Sequence, residues 1–108
     1  MGEHDAMMAR FVHDYLELLD HRVSSIRHHL DQRNFMTAHV ALLSLESTSV
    51  MVGAEELASA AGRLREAVEE GEREEVEDLM AEVAGEAQRT REQLVDGGTA
   101  PGADQPER

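Results

Sequence analysis

The chain contains no cysteine, no lysine and no tryptophan, and its aromatic side chains beyond histidine are one tyrosine and two phenylalanines. Without cysteine there are no disulfides, no thiolate metal ligands and no thiol nucleophile, a composition that suits a reducing compartment. Without lysine, all 10 basic residues are arginine, and against 23 acids they leave a formal net charge of −13. Such a balance repels a phosphate backbone, so nucleic acid is not expected as a partner. No apolar run approaches the roughly 20 residues that cross a bilayer, and MGEHDAMMAR lacks the basic region and apolar stretch of a signal peptide. The expectation is a cytoplasmic protein with no membrane partner. At 108 residues there is room for one modest core, which Leu, Val, Ala and Met must fill.

What is present is helical periodicity. Phe11, Tyr15, Leu18, Leu19, Val23, Ile26 and Leu30 follow the three-and-four spacing of one helix stripe. Asp31-Gln32-Arg33-Asn34 breaks the pattern, and the Asn34 side chain is suited to cap a second helix from about Phe35 to Met51. Gly53 interrupts next. Leu57, Ala61, Leu64 and Val68 mark a third helix, which Gly71 ends as a left-handed residue. Val76, Leu79, Met80, Val83, Ala87 and Leu94 mark a fourth, closed by Gly97-Gly98. Residues 1–10 carry a weak signal for a short helical turn. Residues 96–108 hold both prolines and no apolar period, and read as a flexible tail after a single domain of residues 1–95. Amphipathic helices joined by short loops bury their stripes against one another as antiparallel neighbours, so the expected fold is all-α, an up-down four-helix bundle.

The second helix departs from the rest. Between Glu55 and Glu92 there are thirteen acids and five arginines, whereas the twenty residues from Asn34 to Gly53 carry one formal charge, Glu46. If Phe35, Ala38, Leu42, Leu45, Ser49 and Val52 form its core stripe, then Met36, Val40, Leu43, Ser47 and Val50 form a second stripe on the opposite side. No helix is central in a four-helix bundle. The second stripe is therefore edge-of-core, covered by the N-terminal segment, or a surface that meets another protein.

The arrangement of these helices resembles the histidine phosphotransfer domain of multistep two-component signalling. That family carries His-x-Leu-Lys-Gly on one helix and, six residues on, a Gly-Ala opening the next. With Gly53-Ala54 on that Gly-Ala, the family's Leu falls on Leu45, Phe35 matches an aromatic, and Leu30 to Leu57 follows the apolar pattern. REAVEEGEREEVEDLMAEV is similar to the family's acidic helix, Gly turn and last helix, so the likeness spans roughly residues 11–95. The chain departs where the family's chemistry lies: the phosphoacceptor histidine falls on Leu43, the lysine on Glu46 and the glycine on Ser47. Leucine has no nitrogen to phosphorylate, and a carboxylate repels a phosphoryl group.

Other chemistry finds little support. His39 lies one turn before Leu43, but Leu42 and Leu43 stand where a displaced acceptor would need the family's Lys and Gly. His13, Glu17 and His21 sit four apart on one face of the first helix, yet no Glu-x-x-His motif of helical metal sites occurs, and no metal or other cofactor is expected. Ser44, Ser47, Thr48 and Ser49 lie on a helix without a nucleophile elbow, where hydroxyls usually bond back to the preceding turn. The resemblance implies a non-catalytic, non-enzymatic interaction module that binds a receiver domain or a histidine kinase through Met36, Val40, Leu43, Ser47 and Val50, with His39 and Glu46 at the edge. The alternatives are a structural homodimer on the same stripe and an active phosphocarrier using His39.

Overall fold

The computed structural model describes the backbone of residues 2–99 and the side chains of residues 6–95. Four helices account for nearly all of it: α1 (Gly2–Asp31), α2 (Phe35–Met51), α3 (Glu55–Glu70) and α4 (Arg73–Thr99). Each packs on its sequence neighbours, and α1 closes the ring against α4, while the diagonal pairs α1–α3 and α2–α4 stay apart among the described residues. This is the up-down four-helix bundle that the apolar spacing implies.

Two boundaries differ from the sequence expectation. Among the described residues the first helix begins at Gly2, so residues 2–10 supply more than the short turn expected of this segment; Glu, Ala, Met and Arg are strong helix formers even where no apolar stripe marks them. At the other end, α4 continues through Gly97 and Gly98 to Thr99 and is not closed by them. Most of the expected tail, residues 100–108, lies outside the described residues.

The three turns share one construction. Asn34 N–H donates to His29 O and Arg33 N–H to Leu30 O; Ala54 and Gly53 do the same to Ser49 and Val50, and Glu72 and Gly71 to Ala67 and Val68. Each is the paired closure in which one residue adopts the left-handed conformation, here Arg33, Gly53 and Gly71 with φ of 62°, 81° and 71°. The residue after it at once begins the next helix: the carbonyls of Asn34, Ala54 and Glu72 accept from Ala38, Ala58 and Val76 N–H. Gly71 thus ends α3 as its type predicts. Asn34 does begin α2, but its side chain makes no capping hydrogen bond, because the preceding turn already fixes the backbone there.

The core is aliphatic. Tyr15, Leu19 and Ile26 of α1 meet Leu42 and Leu45 of α2, Leu57, Ala60, Ala61 and Leu64 of α3, and Met80, Val83 and Ala87 of α4. The alanines of α3, with buried Gly62, let that helix approach both neighbours closely. One hydroxyl pair interrupts the apolar interior: Tyr15 Oη and Ser49 Oγ share a buried hydrogen bond of 2.8 Å, which satisfies both groups away from water. Leu18, counted in the first-helix stripe, points outward instead and lines a groove with Phe11 and Thr48. Opposite, Arg91 Nη2 donates to Leu16 O at 2.8 Å and lies 3.2 Å from Asp20 Oδ2, pinning α4 to α1.

Candidate functional site

The structure divides α2 into the two stripes that its spacing predicts. Ala38, Leu42, Leu45 and Ser49 are fully buried, with Phe35 and Val52 partly so. On the far side Met36, Val40, Leu43 and Val50 are 85%, 64%, 47% and 61% exposed, and Ser47 is exposed among them. No described part of the N-terminal segment covers this stripe; Met7 and Met8 are themselves exposed. Met51 also stands open, extending the stripe at its C-terminal end. Four positions from Ser47, it was legible as a member of the outer face.

The edges of this face are held by polar contacts of different kinds. On the α1 side, Arg22 Nη1 donates to Ser44 Oγ at 2.9 Å. Thr48 Oγ1 bonds back to Ser44 O and Leu45 O, the usual use of a helical hydroxyl. On the α3 side, the two residues placed at the edge by sequence are not free. His39 Nε2 lies 2.5 Å from Glu69 Oε2, its N–H donating to the carboxylate. Glu46 accepts from Arg65 Nε at 2.9 Å and from Nη2 at 3.4 Å, a forked pair with both side chains mostly covered. This bond is the first cause of the upward shift of the Arg65 pKa. Arg65 in turn reaches Glu69 at 3.6 Å, so His39, Glu69, Arg65 and Glu46 form one chain of contacts along the α2–α3 seam.

Gly62 makes room for this chain. The Glu46 carboxylate lies over it, so near that an added Cβ would stand 2.9 Å from Oε2. Sequence reasoning missed Gly62, Arg65 and Glu69 as parts of the seam, since their pairing with α2 depends on the register of two antiparallel helices. The only local signal is a glycine within the small-residue run ASAAG.

The seam has a chemical consequence. At the edge of the exposed stripe, the imidazole Nε2 is occupied by a carboxylate, and the carboxylate at Glu46 is neutralised by a guanidinium. On α1, His13 Nε2 lies 3.5 Å from Glu17 Oε2 with both side chains well exposed, and among the described residues no group of three or more His, Asp or Glu gathers to hold a cation. No described helix is long and apolar enough to cross a membrane. No protein-family model matches the chain, and neither does any curated protein or solved structure.

Proposed function

We propose that this chain is a non-catalytic interaction module of the histidine phosphotransfer type, which docks a receiver domain or a histidine kinase through the outer face of α2. The observation that carries this reading is the exposure of Met36, Val40, Leu43, Val50 and Met51 on one face of α2, with the small Ser47 among them, on a chain that is otherwise densely charged. Contiguous apolar surface of that kind marks interaction sites. By the resemblance, Leu43 occupies the reactive position at the middle of the docking face, so the face keeps its shape while lacking a phosphorylatable nitrogen. His39 is not read as a substitute acceptor, because its Nε2 is held by Glu69 and its neighbours on the outer face are aliphatic.

The test is titration of purified receiver domains and histidine kinase dimerisation domains against the chain, followed by two-dimensional NMR. Saturable shifts centred on Val40, Leu43 and Ser47, lost in Leu43→Asp, support the reading. Binding that leaves α2 unperturbed, or phosphoryl transfer onto His39 from a phosphorylated receiver, removes it.

A further inference from the structure

The α2 stripe does not stand alone. Beside it on α3, the residues Glu55, Ser59, Gly62, Glu66 and Glu69 recur at the same four-three-four-three spacing as Met36, Val40, Leu43, Ser47 and Val50 on α2. The seam contacts run the two rows alongside one another with His39 and Glu46 between them, since Glu46 lies over Gly62 and His39 meets Glu69. The α2 row is apolar but for Ser47, and the α3 row carries three glutamates, with Gly62 buried and Ser59 Oγ accepting from Arg63 Nη1 at 2.9 Å, a guanidinium that is itself paired with Glu82. Of the three glutamates, Glu69 is engaged by His39 and Arg65, whereas Glu55 and Glu66 hold no ion pair among the described residues. Of the carboxylates that act on Arg65, Glu66 contributes least, and that guanidinium is already bonded to Glu46. The opposite border of α2 is different in kind: Arg22 is bonded to Ser44 there, and Leu18 and Thr48 line the groove with Asp14.

From this asymmetry we infer that the docking face accepts an amphipathic helix whose apolar stripe is edged on one side by Arg or Lys, the apolar residues lying on α2 and the basic edge lying along Glu55 and Glu66 of α3. The inference rests on the use of the α2 face for docking and adds the chemistry of the occupant. Two rows with heptad-like spacing receive the corresponding rows of another helix lying nearly along the bundle axis. From Met36 to Val50 the stripe is about 21 Å long at 1.5 Å per residue, or about four turns, enough for the i, i+3, i+4, i+7 anchors of helix-in-groove recognition. Charge decides against a second copy as occupant, since it would bring the same acidic row and another formal charge of −13. A cationic edge does the reverse, steering encounter and fixing register.

The probes are two synthetic helical peptides with the same leucine stripe, one edged with Lys and Arg and the other with Glu, titrated against the full chain by fluorescence anisotropy. The basic-edged peptide is expected to bind, with affinity falling about tenfold as salt is raised through the physiological range, and the acidic-edged one not to saturate. Leu43→Asp weakens binding of the basic peptide at least about tenfold, and Glu55→Gln with Glu66→Gln weakens it by about three- to tenfold while flattening the salt dependence. Circular dichroism confirms that both variants fold. Equal binding of the two peptides, or an unchanged affinity in the glutamine variant, overturns the charged edge and leaves the apolar docking face standing. Binding of neither peptide overturns helix docking itself. A dimer in light scattering that Leu43→Asp dissociates gives the face to a second copy and overturns the inference as well.

Discussion

Gly62 of α3 lies beneath the Glu46 carboxylate of α2, with room for a hydrogen and not for a methyl: a Cβ at Gly62 would meet Oε2 at 2.9 Å and Cδ at 3.4 Å. The seam that borders the docking face is therefore built on a missing side chain. Glu46 is the flexible partner, so Gly62→Ala is expected to displace its carboxylate from Arg65 without moving the helices. The lost, partly covered ion pair and the gained helix propensity are each worth about 1 kcal/mol and oppose one another. Overall stability should change by less than about 1 kcal/mol, while the coupling between Glu46 and Arg65 in a double-mutant cycle vanishes in the Gly62→Ala background.

The two stripes of α2 make opposite demands on substitution. Leu43→Asp, on the open side with about half its surface covered, is expected to cost about 1 kcal/mol, from the lost partial burial and the lower helix propensity of Asp. Leu42→Ala, one position away and fully buried, is expected to cost about 2–5 kcal/mol through lost transfer energy and the cavity left behind. Urea unfolding of the two variants checks this; a large loss from Leu43→Asp would mean that Leu43 belongs to the core.

Arg33 occupies the turn position that Gly53 and Gly71 fill elsewhere, and its φ of 62° places a Cβ where the left-handed conformation disfavours one. Arg33→Gly is expected to raise stability by up to about 1 kcal/mol, the relief of strain exceeding the added freedom of the unfolded chain. Gly53→Ala and Gly71→Ala lose about 1 kcal/mol each, through backbone strain alone, since no atom lies within 4 Å of an added Cβ at either position. Thermal unfolding of the three variants tests the shared construction of the turns.

The buried Tyr15–Ser49 pair predicts a pH dependence. Burial raises the Tyr15 pKa above its usual 10.0, with the Ser49 hydrogen bond and nearby Arg22 acting against that shift. The unfolded chain then gives up this proton first, so the contribution is fully present below about pH 10 and is lost as pH rises through the folded pKa. Since the chain has no Lys or Cys and no other Tyr, tyrosinate absorbance and helix loss should rise together in an alkaline titration. In Tyr15→Phe the alkaline loss should be largely removed, at a cost near neutral pH of about 1–2 kcal/mol from the unpaired Ser49 hydroxyl.

What the sequence disclosed was whatever a single helix can encode. The two stripes of α2 are visible because their spacing repeats within seventeen residues, and the stop at Gly71 is visible because glycine tolerates positive φ. Contacts between helices were not legible. Glu46 reads as a free carboxylate at the edge of the outer stripe until Arg65, nineteen residues on, is placed opposite it. Asn34 reads as a side-chain cap until the hydrogen bonds of the Arg33 turn are seen to fix that backbone already. The early start of α1 was hidden for another reason: the residues between Gly2 and Arg10 favour a helix by propensity, while an apolar stripe is what a periodicity search detects.

In each of the three turns, one residue closes a helix and the next opens another, leaving no slack chain between them. The rows on α2 and α3 are thus fixed in relative height before any partner arrives. An incoming helix meets a template already cut to length, and little ordering of this chain is needed on contact. Recognition then depends on whether the partner's own spacing matches, in the way a rack accepts only a gear of the same pitch.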